Sequence, residues 1–122
     1  MAKTVLSVDD SKSIRDMIGF TLQPHGYDVI CAEDGVDGLA VLAANKVDLI
    51  VCDLNMPNMN GIEMIRKVRE NRANDGLPIV VLTTEGQKEK MKEAKEAGAT
   101  GWIVKPFDEA KLVSVVTKLA GA

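Results

Sequence analysis

The chain has 122 residues, 46% of them hydrophobic and 27% charged, and a formal net charge of −3. That length suits one domain with a real core, since a chain of this size buries about two-thirds of the surface of its unfolded form. The mild acidity excludes a strong pull toward nucleic acid or an anionic membrane, no apolar run approaches the roughly 20 residues of a membrane span, and the start MAKTVLSVDD has no signal-peptide pattern.

The expectation is therefore one cytoplasmic domain over residues 1–122, with no nucleic-acid or membrane partner; a monomer is also expected. Short apolar runs without polar alternation predict strands covered on both faces at Val5–Val8, Val29–Cys31, Leu49–Cys52, Ile79–Leu82 and Trp102–Val104. After the first strand, Ile14, Met17, Ile18 and Leu22 fall at i, i+3, i+4 and i+8 and predict a helix, ended by Pro24-His25-Gly26. Val36, Leu39, Leu42 and Ala43 make a second helical stripe, and Ile62, Met64, Ile65 and Val68 a third. Asn74-Asp75-Gly76 forms a turn before the fourth strand. Gly86–Ala97 is a weaker helix, rich in Lys and Glu, that offers mainly Met91, Ala94 and Ala97 to a core; Gly98 follows at a C-cap position. Leu112, Val115, Val116 and Leu119 mark the last helix. Cys31 and Cys52 lack C-x-x-C spacing and read as two buried free thiols, and His25 as a surface residue.

Strands alternating with helices predict an α/β domain, (βα)₅ and doubly wound, with a parallel sheet covered on both faces. In such sheets the site lies beyond the carboxyl ends of the strands. The first strand exits into Asp9-Asp10, the third into Asp53-Leu54-Asn55-Met56-Pro57, the fourth into Thr83-Thr84-Glu85 and the fifth into Lys105-Pro106-Phe107. Two carboxylates about 5 Å apart repel by roughly 3 kcal/mol at an effective dielectric near 20. A hard divalent cation offsets that cost, and Mg²⁺ suits oxygen ligands, whereas Zn²⁺ lacks a suitable Cys or His here. Asp10 and Asp53 are candidates for direct ligands, with a backbone carbonyl from the loop after Asp53, and Asp9 through water. Thr83 and Lys105 then read as receptors for an arriving anion, and Asp53 as the nucleophile that takes a phosphoryl group. Each residue taken singly has a plainer role: Asp10 or Ser11 as a helix cap, Thr83 as a strand end, Lys105 as a surface lysine. Their joint fall on one sheet edge favours the site.

These motifs, VDDS at Val8–Ser11, DLNMPNMNG at Asp53–Gly61, TT at Thr83–Thr84 and AGATGWIVKPF at Ala97–Phe107, resemble the receiver domain of two-component response regulators over essentially the whole chain. The resemblance is strongest to the stand-alone chemotaxis receivers, because the chain ends after the fifth helix, and it implies no output domain. It implies the flavodoxin-like strand order 2-1-3-4-5. It also implies Asp53 as phosphoacceptor, Asp9 and Asp10 as the acidic pair that helps bind Mg²⁺, and the main-chain carbonyl of Asn55 as a further metal ligand. Thr83 and Lys105 match the switch hydroxyl and the phosphate-binding lysine, and Lys105-Pro106 a bond usually cis in the family. Asn55 and Glu85 match the positions that tune phosphoryl lifetime. Trp102 stands where the family usually has Tyr or Phe, an aromatic that swings inward on activation. The implied donor is a phosphohistidine on a sensor histidine kinase of the CheA type, and the implied output partner a flagellar motor switch protein.

The weak helix is a fitting moving part, because few core anchors leave it little to lose by shifting. Lys88, Met91, Trp102 and Val104, with the last helix, would form the output face, and Lys88, Lys92 and Lys95 could steer an acidic partner. The plain alternatives are static packing for Trp102 and a solvated charged helix. Within the class, a phosphate sink, a relay intermediate or a stress-pathway regulator is the alternative to chemotaxis. The chain is not read as an enzyme beyond its own phosphorylation and dephosphorylation. An aspartyl phosphatase would need an acid where Asn55 stands, and an FMN carrier would not place Asp9 and Asp10 in its phosphate loop.

Overall fold

The computed structural model describes residues 2–84 and 88–121. Five parallel strands, β1 (Lys3–Val8), β2 (Tyr27–Ala32), β3 (Leu49–Asp53), β4 (Ile79–Thr84) and β5 (Gly101–Lys105), pair in the order β2-β1-β3-β4-β5 among the described residues. The helices between them are α1 (Lys12–Leu22), α2 (Gly35–Ala44), α3 (Gly61–Glu70), α4 (Lys88–Ala97) and α5 (Glu109–Ala120). Every step along a strand sends the next side chain to the opposite face. Leu6, Val8, Ile50, Cys52, Ile79 and Val81 therefore pack under α2, α3 and α4, while Val5, Leu49, Val51, Val80, Leu82 and Ile103 pack under α1 and α5. The central strands β1, β3 and β4 are apolar because both of their faces are covered.

The strand order puts β1, β3, β4 and β5 side by side, so their exits converge. Asp53 pairs with Leu82, and Thr84 with Lys105, at the carboxyl edge. At the opposite edge the chain ends are tied together: Lys3 Nζ donates to the Ala120 carbonyl, and the Tyr27 hydroxyl to that of Gly121 at 2.5 Å.

Three expectations are corrected. Cys31 is exposed and only Cys52 is buried. β2 is an edge strand, and the surface of α1 facing Cys31 carries Arg15, Asp16 and the side-chain-free Gly19. In α2, Val36 is 54% exposed and Ala43 also faces solvent, while Leu39, Val41 and Leu42 pack on the core. The buried face of α2 begins at Gly35 and Gly38; a Cβ on either would stand 2.7 Å from Met59 Cγ or 2.9 Å from Met64 Cε. Glycine gives no hydropathy signal, so the stripe reads one step out of phase. Lastly, β2 and β5 are not covered on both faces: Trp102 and Val104 share the face of Val81, but α4 leaves them 41% and 36% exposed.

Candidate functional site

The acid pair begins where β1 stops. Asp9 is 1% exposed and its backbone N–H still donates to the Ala32 carbonyl, at 3.1 Å, so the sheet fixes it. Ser11 then caps α1, its Oγ accepting from the Ile14 N–H at 3.4 Å. The tight turn aims the Ser11 N–H at Asp9 Oδ1, 2.9 Å away, and Arg15 donates to the Asp9 carbonyl at 2.6 Å. Asp10, between them, is exposed.

Asp53 ends β3 and is 6% exposed. Its loop is held at both ends: the Leu54 N–H reaches the Leu82 carbonyl at 3.4 Å, and the Gly61 N–H returns to the Leu54 carbonyl at 3.1 Å. Only glycine fits at position 61, because a Cβ there would lie 2.4 Å from the Asp53 carbonyl oxygen. Asn60 and Glu63 cap α3 reciprocally, and Asn58, at φ 65°, donates to Asp34 Oδ2 at 2.8 Å. The Asn55 N–H approaches Asp53 Oδ1 at 3.4 Å.

Carboxylate oxygens of Asp9, Asp10 and Asp53 all lie within 4.8 Å of one another. Burial holds the Asp9 carboxyl above its ordinary range; the Ser11 N–H opposes that and the Asp53 charge adds to it. Asp9 Oδ2 is buried and accepts no hydrogen bond, and the Lys105 ammonium stands 3.8 Å from it. The same ammonium is 3.4 Å from Asp53 Oδ1. Among the described residues, Lys105 is the cation paired directly with these three carboxylates, which leaves the cluster short of positive charge. A buried acceptor with nothing donating to it, in a set made of oxygens alone, fits a hard divalent ion such as Mg²⁺. The neighbouring Cys52 thiol is pushed up by burial and by the Asp53 and Asp9 charges, so it stays protonated and inert.

Thr83 is buried at the end of β4, its hydroxyl donating to the Thr84 carbonyl at 3.3 Å. The Lys105-Pro106 bond is cis. Asp9, Asp10, Asp53, Asn55 and Lys105 thus come together on one edge, with Thr83 on the adjacent strand. The residues expected on an output face lie apart from them: Trp102 and Val104 border a cavity of about 360 Å³ with Pro106, Phe107, Asp108 and Lys111. On α4, Lys88 is exposed and Met91 half-buried. Glu85 lies outside the described residues. One neighbour of the site gave no signal in the sequence: Lys90 Nζ donates to Asn55 Oδ1 at 3.3 Å, and only the packing of α4 distinguishes it from the other lysines of that helix.

The model of the response regulator receiver domain matches residues 5–117. A chemotaxis protein CheY homolog of Campylobacter jejuni is 43% identical over 105 residues, covering 84% of this chain and 81% of the relative. The phosphate regulon transcriptional regulatory protein PhoB of Pseudomonas aeruginosa is 36% identical over 114 residues, 93% of this chain but 50% of the relative. The structure of the chemotaxis response regulator CheY4 of Vibrio cholerae superposes with a TM-score of 0.92 at 44% identity, over 98% of this chain and 99% of the other. Strand order, the acidic edge and these matches agree: the chain belongs to the response regulator receiver domain family.

Proposed function

We propose that this receiver takes a phosphoryl group onto Asp53 from the phosphohistidine of a sensor histidine kinase, and that it serves chemotaxis. The observation that carries the reading is the gathering of Asp9, Asp10 and Asp53 within 4.8 Å, with Lys105 at 3.4 Å from Asp53. An Asp53 carboxylate oxygen attacks phosphorus, the histidine N–P bond breaks, and an acyl phosphate forms while the imidazole nitrogen keeps the bonding electrons. Asp9, Asp10, Asp53 and the Asn55 main-chain carbonyl would hold Mg²⁺, which supplies charge neutralisation for the phosphoryl oxygens. Lys105 exchanges its place beside the free carboxylate for one beside a phosphoryl oxygen, and the Thr83 hydroxyl turns to donate to another. Asn55 and Glu85 match the two positions that tune the lifetime of the phosphoryl group in the family.

The new dianion draws Thr83, and Trp102 follows into the space vacated. The face formed by Lys88, Met91, Trp102 and Val104 then presents a changed surface to an output protein, a flagellar motor switch protein in the chemotaxis reading. The 43% identity to a CheY homolog supports that pathway.

Incubation with acetyl phosphate or a phosphorylated kinase should label the chain at one site, and Asp53→Asn should abolish the label. Retained labelling at full stoichiometry would show that another residue is the acceptor. The fluorescence of Trp102, the single tryptophan, should change when BeF₃⁻ binds with Mg²⁺. An unchanged signal at saturation would uncouple Trp102 from the site.

A further inference from the structure

The cavity at the mouth of the acid cluster, about 420 Å³, is lined by Asp10, Asn55, Met56, Pro57, Ile62 and Lys90 among others. Lys90 comes from α4, which the sheet barely holds: Ala94 is its one buried residue among those described. Away from the site, α4 is fastened to α3. Arg66 pairs with Glu93 at 3.3 Å, and Arg69 donates from Nε and from Nη2 to the Gly98 carbonyl at 3.2 and 2.8 Å. Towards the site, Lys90 Nζ donates to Asn55 Oδ1 at 3.3 Å. Asn55 in turn presents its N–H to Asp53 Oδ1. A cation on the looser helix is thus one residue removed from the carboxylate that receives the phosphoryl group.

We infer that Lys90 is a positioning residue of the phosphoryl site, a second cation that fixes Asn55 at the mouth and ties α4 to the charge state of Asp53. This rests on the phosphoacceptor reading above. Lys105 is the interior cation, its side chain 26% exposed, and it sits beside the carboxylates. Lys90 stands at the rim, where solvent screens it, so its influence is modest but has a definite sign. An ammonium there repels a divalent cation entering the acid cluster and attracts the anion that binds after it. Removing it should therefore strengthen one ligand and weaken the other. Loss of a side chain that only stabilised α4 would not move the two in opposite directions.

The test uses the full chain and two probes, Mg²⁺ alone and BeF₃⁻ at saturating Mg²⁺, each titrated by calorimetry. Relative to the unmodified protein, Lys90→Met should bind Mg²⁺ about 2-fold tighter and BeF₃⁻ about 2- to 5-fold weaker, the range of an exposed charge pair. Lys90→Arg should restore both. Lys46→Met, which removes the same charge from the loop at the opposite edge of the sheet, should change neither. Equal affinities in Lys90→Met and the unmodified protein, or shifts of both probes in one direction, would overturn the inference. Absence of Mg²⁺ and BeF₃⁻ binding to the unmodified protein would instead overturn the phosphoacceptor reading on which it stands.

Discussion

α3 and α4 are neighbours of equal length, ten residues each, on the same face of the sheet, yet they are anchored very differently. α3 buries Gly61, Ile62, Met64, Ile65 and Val68, begins with a full capping box and ends with Lys67 and Arg69 against its negative pole. α4 buries Ala94 and otherwise shows solvent lysines and glutamates or half-buried side chains. A helix with five buried residues is bound to the fold's global stability, whereas one with a single buried alanine can shift while the core stays whole. The loop that follows Asp53 ends in the first kind, and the face proposed for output includes the second. In that reading the well-anchored helix steadies the site, and the loosely anchored one is free to respond.

Truncation separates the two most widely. Ile65→Ala should cost about 2–5 kcal/mol in denaturant unfolding, as for a fully buried branched aliphatic, while Met91→Ala, half-buried on α4, should cost less than about 1 kcal/mol. Equal losses would mean that α4 is as much part of the core as α3.

Gly61→Ala probes the joint between α3 and the loop after Asp53. Its Cβ would press on the Asp53 backbone, so about 1–3 kcal/mol of stability should be lost, and the affinity for Mg²⁺ should fall with it. Normal Mg²⁺ affinity in that variant would show that the cluster does not depend on the packing of α3.

Asp9→Asn asks whether the rigid strands hold an acid against its own preference. Because burial raises the folded-state value of Asp9, its ionised form opposes folding above the usual carboxylate range, and the opposition fades as pH falls and the group protonates. In EDTA at pH 7 the variant should therefore melt higher than the parent, with the gap closing toward pH 4. A variant that melts lower at pH 7 would contradict this. The smallest effect belongs to the α3–α4 pair: Arg66→Ala, with partners 58% and 50% exposed, should cost at most about 1 kcal/mol.

Much of this was legible in the sequence, for reasons that differ by residue. The strands buried on both faces announced themselves as Leu49–Cys52 and Ile79–Leu82, since no polar residue can interrupt them. β1 begins two residues earlier than its apolar run because exposed Lys3 and half-buried Thr4 still pair with β2. The acid cluster and Lys105 were readable as strand exits, because a parallel sheet gathers all its exits at one edge. Strand order was not; it came from resemblance, and it is what brings the exit of β5 within reach of β3. Cys31 misled because apolar neighbours do not reveal an edge strand, and Val36 because Gly35 and Gly38 carry the packing of α2 without any side chain. Lys90 and Arg69 were silent, since a lysine or arginine in a charged helix acquires meaning only from what the neighbouring helix puts beside it.

Three carboxylates from the exits of β1 and β3 are brought within 4.8 Å of one another, and the proposed function requires that they hold a divalent ion. Calorimetric titration of Mg²⁺ into the metal-free protein tests it most directly. One ion should bind per chain, with affinity reduced at least about tenfold by Asp9→Asn. No heat of binding, or affinity indifferent to that substitution, would contradict the account.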